Sequence, residues 1–319
     1  RFEPAQSIDD DEDIPSLARP DDLLFDNGLG GFSADGREYI IHLEPRDSTP
    51  APWINILSNN DFGTVVTEAG GGFSWAINSG ENRISPWTND AVTDEPSEIL
   101  YLRDEETAQL WNPTPGPNGR EAACQIRHGA GFTDWRKISH GLEQDLRIFV
   151  PTEDPVKIIR LRLTNRTSRH RRITATYYVN WLLGSLTSVA RPSVNCTYEA
   201  ENHVILAKNV WNPDFAEQTA FLTADQPPHG LTTDRKEFLG REGSLEYPAG
   251  LQRWGLEGTA ESGIDPCGAY QVHLELDPGQ SEEVIFILGQ GTDRTHATSL
   301  IADWKNLDKI EAEFEKLRA

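Results

Sequence analysis

Residues 25–41 read Phe25-Asp-Asn-Gly-Leu-Gly-Gly-Phe-Ser-Ala-Asp-Gly-Arg-Glu-Tyr-Ile-Ile41, and this stretch is the clearest indication of the fold class. A glycine-rich turn runs into a β-strand, and the proline-framed Thr49-Pro-Ala-Pro-Trp-Ile-Asn55 opens the next strand. The glycines suit a tight turn because they tolerate positive φ angles. A phosphate-binding loop would require a Lys-Ser/Thr pair and a following helix, and neither is present. The stretch therefore predicts a structural turn at the start of a β-sheet domain.

Alternating apolar and polar residues then recur in short segments along most of the chain, as in Lys157-Ile-Ile-Arg-Leu-Arg-Leu163. This period of two is typical of strands with one buried face. The predicted strands include Trp53–Leu57, Phe62–Thr67, Phe73–Ile77, Ile99–Arg103, Leu142–Val150, Val156–Leu163, Ile173–Leu183, Val204–Ala207, Val272–Leu276 and Val284–Leu288. Short turn sequences separate them and no amphipathic helix intervenes, which favours packed antiparallel sheets over βαβ units. The predicted fold class is mostly β.

The composition excludes several classes of function. The 319 residues include 29 basic and 51 acidic side chains, and the net charge of −22 opposes binding to nucleic acid. No apolar run reaches the roughly 18 residues of a membrane span, and the N-terminus lacks a signal-peptide pattern. Three widely spaced cysteines, Cys124, Cys196 and Cys267, indicate buried thiols in a reducing, cytoplasmic compartment. Methionine is absent even at position 1, so we expect a piece of a longer or processed protein.

Three regions of the chain differ in pattern. Residues 1–24 combine the acidic run Asp9–Asp13 with prolines and are predicted to be a linker or tail. Residues 25–290 carry the predicted strands. Residues 291–319 change to a helical period, with apolar residues every three to four positions from Leu300 to Leu317. Either these helices pack against the domain's own sheet, or they open a helical linker towards a further domain.

The charged clusters predict no catalytic site. Asp104, Glu105 and Glu106 end a predicted strand, where neighbouring side chains point to opposite faces and do not form the facing carboxyl pair of a glycosidase. We interpret them as solvated turn charges. The basic stretch Asn165–Arg172 lies between two predicted strands and is interpreted as a hairpin tip in solvent. Motifs of serine hydrolases, zinc proteases and Cys-x-x-Cys metal sites are absent, so no catalytic residue, metal or cofactor is predicted.

Two kinds of residue are candidates for sugar binding. The chain has nine tryptophans, whose rings can stack on sugar C–H surfaces but are also common in large β-sandwich cores. The candidates among them are Trp181 and Trp87, the latter in the loop sequence Ser85-Pro-Trp-Thr-Asn-Asp90. Arg191 lies on an irregular segment after a strongly apolar strand, a place where functional side chains often project.

Several motifs together resemble the N-terminal domain of the cellobiose phosphorylase family of inverting glycoside phosphorylases, in the branch that acts on β-1,2-glucans. They extend over residues 25–290 in the family's order and spacing. The motifs are Asn27-Gly-Leu-Gly-Gly-Phe32, Asp35-Gly-Arg-Glu-Tyr39, Thr49-Pro-Ala-Pro-Trp53, Ser85-Pro-Trp-Thr-Asn-Asp90, Tyr101-Leu-Arg-Asp-Glu-Glu-Thr107, Arg127-His-Gly-Ala-Gly-Phe132, Asp234-Arg-Lys-Glu-Phe-Leu-Gly-Arg241, Asp265-Pro-Cys-Gly-Ala269 and Leu288-Gly289.

This resemblance implies a β-super-sandwich of antiparallel sheets like that of galactose mutarotase, followed by linker helices and an (α/α)6 barrel that carries the general acid and the phosphate site. It implies no catalytic residue in this chain and a barrel partner in cis or in trans. A homodimeric parent enzyme would use a β-glucan oligosaccharide with inorganic phosphate as co-substrate. In relatives that act on cellobiose an arginine of this domain contacts the acceptor sugar, and Arg191 is its nearest match. Relatives tend to carry Glu where this chain has Asn180.

Three hypotheses on function stay open at this point. In the first, the chain is a non-catalytic sugar-site and interface domain of a phosphorylase that converts a β-1,2-glucan or related β-glucoside and phosphate into α-glucose 1-phosphate. In the second, it is a stand-alone carbohydrate-binding or assembly module. In the third, it is a mutarotase-like enzyme, which would need a His/Glu pair in a sheet cleft that the sequence does not identify.

Overall fold

A computed structural model describes residues 15–260 and 265–318 of the chain. The predicted linker at residues 1–24 is described only from residue 15, and its acidic run Asp9–Asp13 lies outside the described residues. Antiparallel pairing joins the described strands into three sheets. The first sheet has ten strands, which are in spatial order β1 (Gly30–Phe32), β2 (Tyr39–Leu43), β8 (Cys124–Gly129), β9 (Phe132–Ser139), β10 (Leu142–Phe149), β11 (Val156–Asn165), β18 (Ser281–Gly291), β15 (Thr219–Ala224), β14 (Val204–Asn209) and β13 (Val194–Glu199).

Two smaller sheets and a few helices complete the described part of the molecule. The second sheet has five strands, in the order β16 (Gly230–Asp234), β17 (Pro266–Leu276), β12 (Arg171–Asn180), β6 (Glu98–Asp104) and β7 (Leu110–Trp111). The third has three, in the order β3 (Ile54–Ser58), β4 (Phe62–Thr67) and β5 (Gly72–Ala76). The α-helices are α1 (Thr187–Ala190), α2 (Arg235–Leu239), α3 (Arg294–Trp304) and α4 (Leu307–Arg318), and the 3-10 helices are η1 (Arg191–Ser193) and η2 (Ala249–Gln252).

The main hydrophobic core lies between the sheets. Alternate residues of β11, such as Ile159 and Leu161, are fully buried there with Ile173 of β12 and Leu57 of β3. This is the burial expected for strands with a period of two. The predicted super-sandwich of antiparallel sheets is confirmed, and each of the ten predicted strands overlaps an observed one.

The C-terminal helices cover the outer face of the ten-stranded sheet. Leu300 and Trp304 of α3 and Phe314 of α4 are buried in a second apolar cluster with sheet residues such as Ile158 and Ile287. The predicted amphipathic helices are therefore confirmed, and they pack against the domain's own sheet. A further role as a linker to another domain stays a prediction.

The glycine-rich turn is structural, as predicted. Gly28 has a φ of +95°, which a residue with a Cβ rarely adopts. A Cβ on Gly30 would lie 2.5 Å from the carbonyl oxygen of Ile40, so a glycine is needed for β1 to pair with β2. The Asn27 side chain accepts hydrogen bonds from the backbone N–H groups of Leu29 and Gly30, both over 3.0 Å. The Asn27 side chain thus satisfies the N–H groups of the turn that leads into β1.

The interpretation of Asp104, Glu105 and the basic stretch as solvated charges was wrong in part. Asp104 and Arg171 are fully buried and form an ion pair of 2.5 Å, and buried Glu105 pairs with Arg103 at 2.6 Å. Glu106 alone of the three acidic residues is exposed at the surface. The acidic cluster and the basic stretch are partners across neighbouring strands β6 and β12. The charges are buried because each has an opposite charge to compensate its loss of hydration.

One buried ion pair joins all three sheets. The ammonium group of Lys157 on β11 pairs with Glu98 on β6 and donates to the Ser74 hydroxyl of β5 over 3.1 Å. The Tyr177 hydroxyl of β12 donates to the same carboxylate over 3.0 Å. Burial lowers the pKa of Lys157. Such a hydrogen-bonded cluster fixes how the three sheets face one another, because sliding would leave a charge unpaired.

Candidate functional site

Arg191 lies at one end of the five-stranded sheet, where β12 ends and β17 begins. Its Nη2 donates to Oδ1 of Asn180, the last residue of β12, over 2.7 Å. Its Nη1 lies 3.3 Å from Oδ1 of Asp265, the residue before β17. The Nε–H of Arg191 is buried and has no hydrogen-bond partner among the described residues. The guanidinium is therefore held by two side chains, and only part of it is exposed to solvent.

Asp265 serves a second arginine as well. Its Oδ2 accepts a hydrogen bond of 3.1 Å from Nη1 of Arg235, at the start of α2. The side chains of Arg191 and Arg235 are 21% and 28% exposed, so both groups can be reached from solvent. One carboxylate thus faces two guanidinium groups, an arrangement suited to a ligand rich in hydrogen-bond acceptors.

The floor beneath this site is inert. Burial raises the pKa of the Tyr178 hydroxyl and of the Cys267 thiol far above their ordinary values. Both groups are therefore neutral at physiological pH, and the thiol is not a nucleophile. The predicted burial of the cysteines is confirmed for all three.

Trp87 lies in the loop that precedes β6. Its ring stacks on that of Phe73 with centroids 4.9 Å apart and planes inclined by 10°, and it stays 39% exposed. The Ser97 hydroxyl donates to the Pro86 carbonyl, which fixes the loop, and the Ser97 carbonyl accepts the N–H of Asn180 over 2.9 Å. The loop of Trp87 is thereby tied to the strand end that holds Arg191.

Trp181 occupies a different environment, and its assignment as a sugar-binding residue is corrected. Its side chain is fully buried in the core between the sheets. A Cβ on Gly268 would lie 3.0 Å from the Trp181 ring, so the opposite strand also packs directly against it. A sugar cannot stack on a ring with no accessible face, and Trp181 is therefore a core residue.

The structure does bring a histidine and a glutamate together on the five-stranded sheet. The Thr174 hydroxyl donates its proton to Glu105, so it accepts a hydrogen bond of 2.9 Å from Nδ1–H of His273. Burial lowers the pKa of His273 to about 4. A histidine with this pKa is a weak base at neutral pH, and Glu105 is neutralised by Arg103. The third hypothesis therefore gains no support from this pair.

A cleft of about 640 Å³, which the sequence did not reveal, lies between the loop Thr49–Pro52 and the loop Ala91–Asp94. Buried Glu68 accepts hydrogen bonds from the Thr49 hydroxyl and, over 2.8 Å, from the backbone N–H of Trp53. Burial raises the pKa of Glu68 and also that of Asp94. The loop Thr49–Pro52 belongs to one of the family motifs. Only the fold shows that a cavity lies between it and the loop Ala91–Asp94.

Two further properties concern the described ranges alone. There, no group of three or more His, Cys, Asp or Glu side chains is arranged to hold a metal ion. A search of the same residues finds no helix with the length and apolarity needed to cross a membrane.

The chain is similar to several known proteins in structure or in sequence. A GalM/aldose epimerase homologue from C. elegans resembles the fold with a TM-score of 0.45 and 10% sequence identity, over 76% of this chain and 100% of that chain. Among curated proteins, the cyclic β-(1,2)-glucan synthase NdvB of Rhizobium meliloti is 34% identical over 93% of this chain. N,N'-diacetylchitobiose phosphorylase of Vibrio furnissii is 27% identical over 91%, and solabiose phosphorylase of Paenibacillus borealis is 28% identical over 92%.

The chain spans only part of these relatives. It covers 10% of the length of the glucan synthase, 36% of the chitobiose phosphorylase and 38% of the solabiose phosphorylase. A family model described as the supersandwich domain of glycosyl hydrolase 94 matches residues 37–307, which include most of the described strands. The chain therefore belongs to the glycosyl hydrolase 94 family and is its supersandwich domain.

Proposed function

We propose that this chain is the non-catalytic N-terminal sugar-site and interface domain of a glycoside phosphorylase. The observation that supports this most is the coverage: over 90% of the chain aligns with only 36% of a phosphorylase. In this proposal the remaining length supplies an (α/α)6 catalytic barrel, in cis or in trans, in a homodimeric cytoplasmic enzyme. The parent enzyme cleaves a β-glucoside with inorganic phosphate and releases α-glucose 1-phosphate.

The chemistry of the described residues supports a non-catalytic role. An inverting reaction at a glycosidic bond needs an acidic group poised beside the sugar. The buried carboxylates Asp104 and Glu105 are instead neutralised by arginines. Glu68 has both carboxyl oxygens hydrogen-bonded to the Thr49–Trp53 segment.

We assign Arg191 and Trp87 to the acceptor sugar. Arg191 offers its solvent-facing edge to sugar hydroxyl oxygens, while Asn180 and Asp265 fix its orientation. The exposed part of Trp87 lies on the loop joined to the same strand end. The β-1,2 linkage is proposed because the glucan synthase, at 34% identity, is named for that linkage.

Phosphorolysis assays on β-1,2-glucooligosaccharides test the proposal. The chain alone should show no activity, and activity should require the barrel. In the complete enzyme, Arg191→Ala should raise the acceptor KM in the synthetic direction about tenfold or more, which corresponds to losing one charged hydrogen-bonding group. Arg294→Ala is the matched control because Arg294 is exposed on α3. An acceptor KM that is unchanged by Arg191→Ala would remove this arginine from the site.

A stand-alone carbohydrate-binding module is the alternative. It is distinguished by the same experiment, since it would bind glucan without any partner and add nothing to the activity of a barrel. An active chain without the barrel would refute both proposals.

A further inference from the structure

We propose that the cleft beside Asp94 is a second saccharide-binding site of this domain, separate from Arg191. The loops Ser48–Pro52 and Ala91–Asp94 form two of its walls, and Arg120 and Glu246 lie at its rim. Its volume of about 640 Å³ is within the range of roughly 300–1,000 Å³ that is typical of small-molecule sites. Arg191 and Trp87, the residues assigned to the acceptor sugar, do not line this cleft.

Adjacent residues at the end of β4 hold both walls in place. The Thr67 hydroxyl donates to Oδ2 of Asp94 over 2.9 Å, and Glu68 binds the opposite loop through Thr49. Asp90 also closes the second loop on itself, because its carboxylate accepts the N–H of Val92 over 2.9 Å. The cleft is therefore pre-formed, which reduces the entropy lost when a ligand binds.

The charges of the cleft select a neutral ligand. The carboxyl groups of Glu68, Asp94 and Glu246 outnumber the single guanidinium of Arg120, which disfavours phosphates and other anions. Both oxygens of Glu68 are already hydrogen-bonded, so the carboxylates do not converge on a cation. In the described part of the chain no metal-binding group of three is found.

The remaining polar atoms match a polyhydroxylated ligand. Oδ2 of Asp94 accepts the Thr67 hydroxyl, which leaves Oδ1 to accept from a hydroxyl group of a ligand. Burial raises the pKa of Asp94, and exposed Arg120 lies near enough to oppose that shift. Arg120 forms no ion pair within the described ranges, so its N–H groups can donate. Prolines 50, 52, 96 and 117 add C–H surface on which a sugar ring can pack. An acceptor and a donor side by side suit neighbouring hydroxyls of an uncharged saccharide.

The cleft also lies at the same end of the five-stranded sheet as the acceptor arginine. Pro96 lines the cleft, and the next residue, Ser97, accepts the N–H of Asn180. Asn180 in turn holds Arg191. A glucan chain bound in the cleft would therefore be kept near the site proposed for its reacting end.

Direct binding to residues 1–319 tests this proposal without any catalytic partner. A β-1,2-linked glucose trisaccharide is titrated by calorimetry or ligand-observed NMR, with glucose 1-phosphate as the anionic comparison. We expect the trisaccharide to bind in the millimolar range and glucose 1-phosphate to bind more weakly. Asp94→Ala and Arg120→Ala should each weaken trisaccharide binding at least fivefold, and Asp94→Asn should weaken it less.

Two controls separate this site from the rest of the molecule. Glu201→Gln removes an exposed acidic group in the turn after β13 and should leave binding unchanged. Arg294→Ala removes an exposed cation on α3 and should also leave binding unchanged. Asp94 and Arg120 take no part in the acceptor-site proposal, so a failure of that proposal does not affect this test. If Asp94→Ala unfolds the chain, Arg120→Ala still decides the question, since no wall of the cleft depends on the Arg120 side chain. Equal affinity in Arg120→Ala and the parent, or no binding at tens of millimolar, would overturn the proposal.

Discussion

His128 should make the stability of this domain fall steeply on acidification. Its Nε2 lies 3.2 Å from the carbonyl oxygen of Trp53, which can only accept, so Nε2 carries the proton. Its Nδ1 then accepts the hydroxyl proton of Thr133 over 3.0 Å. A second proton would place a positive charge on a buried ring, and burial lowers the pKa of His128 to about 4. The ring is therefore neutral in the folded protein at neutral pH.

The size of the effect follows from the difference in pKa between the folded and unfolded states. In the unfolded chain the pKa is about 6.5, so the unfolded state binds more protons between pH 4 and pH 6.5. The free energy of unfolding consequently falls as the pH falls through this window. A single group with these two pKa values removes about 2 kcal/mol between pH 7 and pH 5, and about 3 kcal/mol once both states are protonated.

His128→Gln isolates this contribution. The amide can still donate to the Trp53 carbonyl but does not titrate, so we expect a loss of about 1–2 kcal/mol at pH 7 from imperfect hydrogen bonding. The difference in the free energy of unfolding between variant and parent should then shrink by about 2 kcal/mol at pH 5, because only the parent is destabilised by protonation. Urea unfolding at pH 7, 6 and 5, followed by tryptophan fluorescence and by circular dichroism, measures the gap.

His170 provides a control of opposite sign. It is exposed, and hydrogen bonds to Asp277 and Glu275 raise its pKa. A raised pKa stabilises the folded state at low pH, and this stabilisation is lost as the pH rises through the folded pKa. On acidification the free energy of unfolding of His170→Gln should therefore differ more from that of the parent. For His128→Gln the difference should become smaller. A His128→Gln gap that is equal at pH 7 and pH 5 would refute the inferred neutral ring.

Three further substitutions test the packing. Gly72→Ala should cost at least about 2 kcal/mol in urea unfolding, because φ is +133° and the added Cβ would lie 1.9 Å from the Val65 carbonyl oxygen; an unchanged midpoint would contradict the close approach. Asp104→Asn should cost about 3–5 kcal/mol by leaving the buried Arg171 charge unpaired, and Asp104→Asn combined with Arg171→Met should cost less than the two single changes added together. Phe314→Ala should cost about 3–5 kcal/mol and should speed hydrogen exchange in α4 before it does so in the sheets; uniform acceleration would mean that the helix is not an outer layer.

The strands could be predicted because their pattern is local. A period of two identifies a strand from a few consecutive residues, and Lys157–Leu163 is an example that lies within β11. Strand ends are less certain, since the strand predicted to reach Leu183 stops at Asn180 and Leu183 has a φ of +50°. The turn at Gly28 was also predictable, because a glycine requirement is a property of the backbone itself.

Burial of charge could not be predicted, because it depends on partners distant in sequence. Asp104 and Arg171 are far apart along the chain, and only the pairing of β6 with β12 makes them neighbours. Without that pairing, an acidic turn and a basic turn both indicate solvent. The same limit applies to Trp181, because a tryptophan at a strand end gives no indication of which face is covered.

The candidate site also combines features that could be predicted from the sequence with features that could not. Its geometry shows what Asn180 contributes. Arg191 was predicted on an irregular segment and lies instead at the start of η1. Its contact with Asp265 arises only because β12 and β17 are paired. In the proposed site, Asn180 offers one acceptor oxygen, which takes Nη2 of Arg191. A glutamate there would offer two oxygens and a negative charge, enough to engage further guanidinium N–H groups and to balance the second arginine. Asparagine keeps the orientation of Arg191 while leaving part of its charge for the ligand, so an asparagine at this position is compatible with an acceptor site.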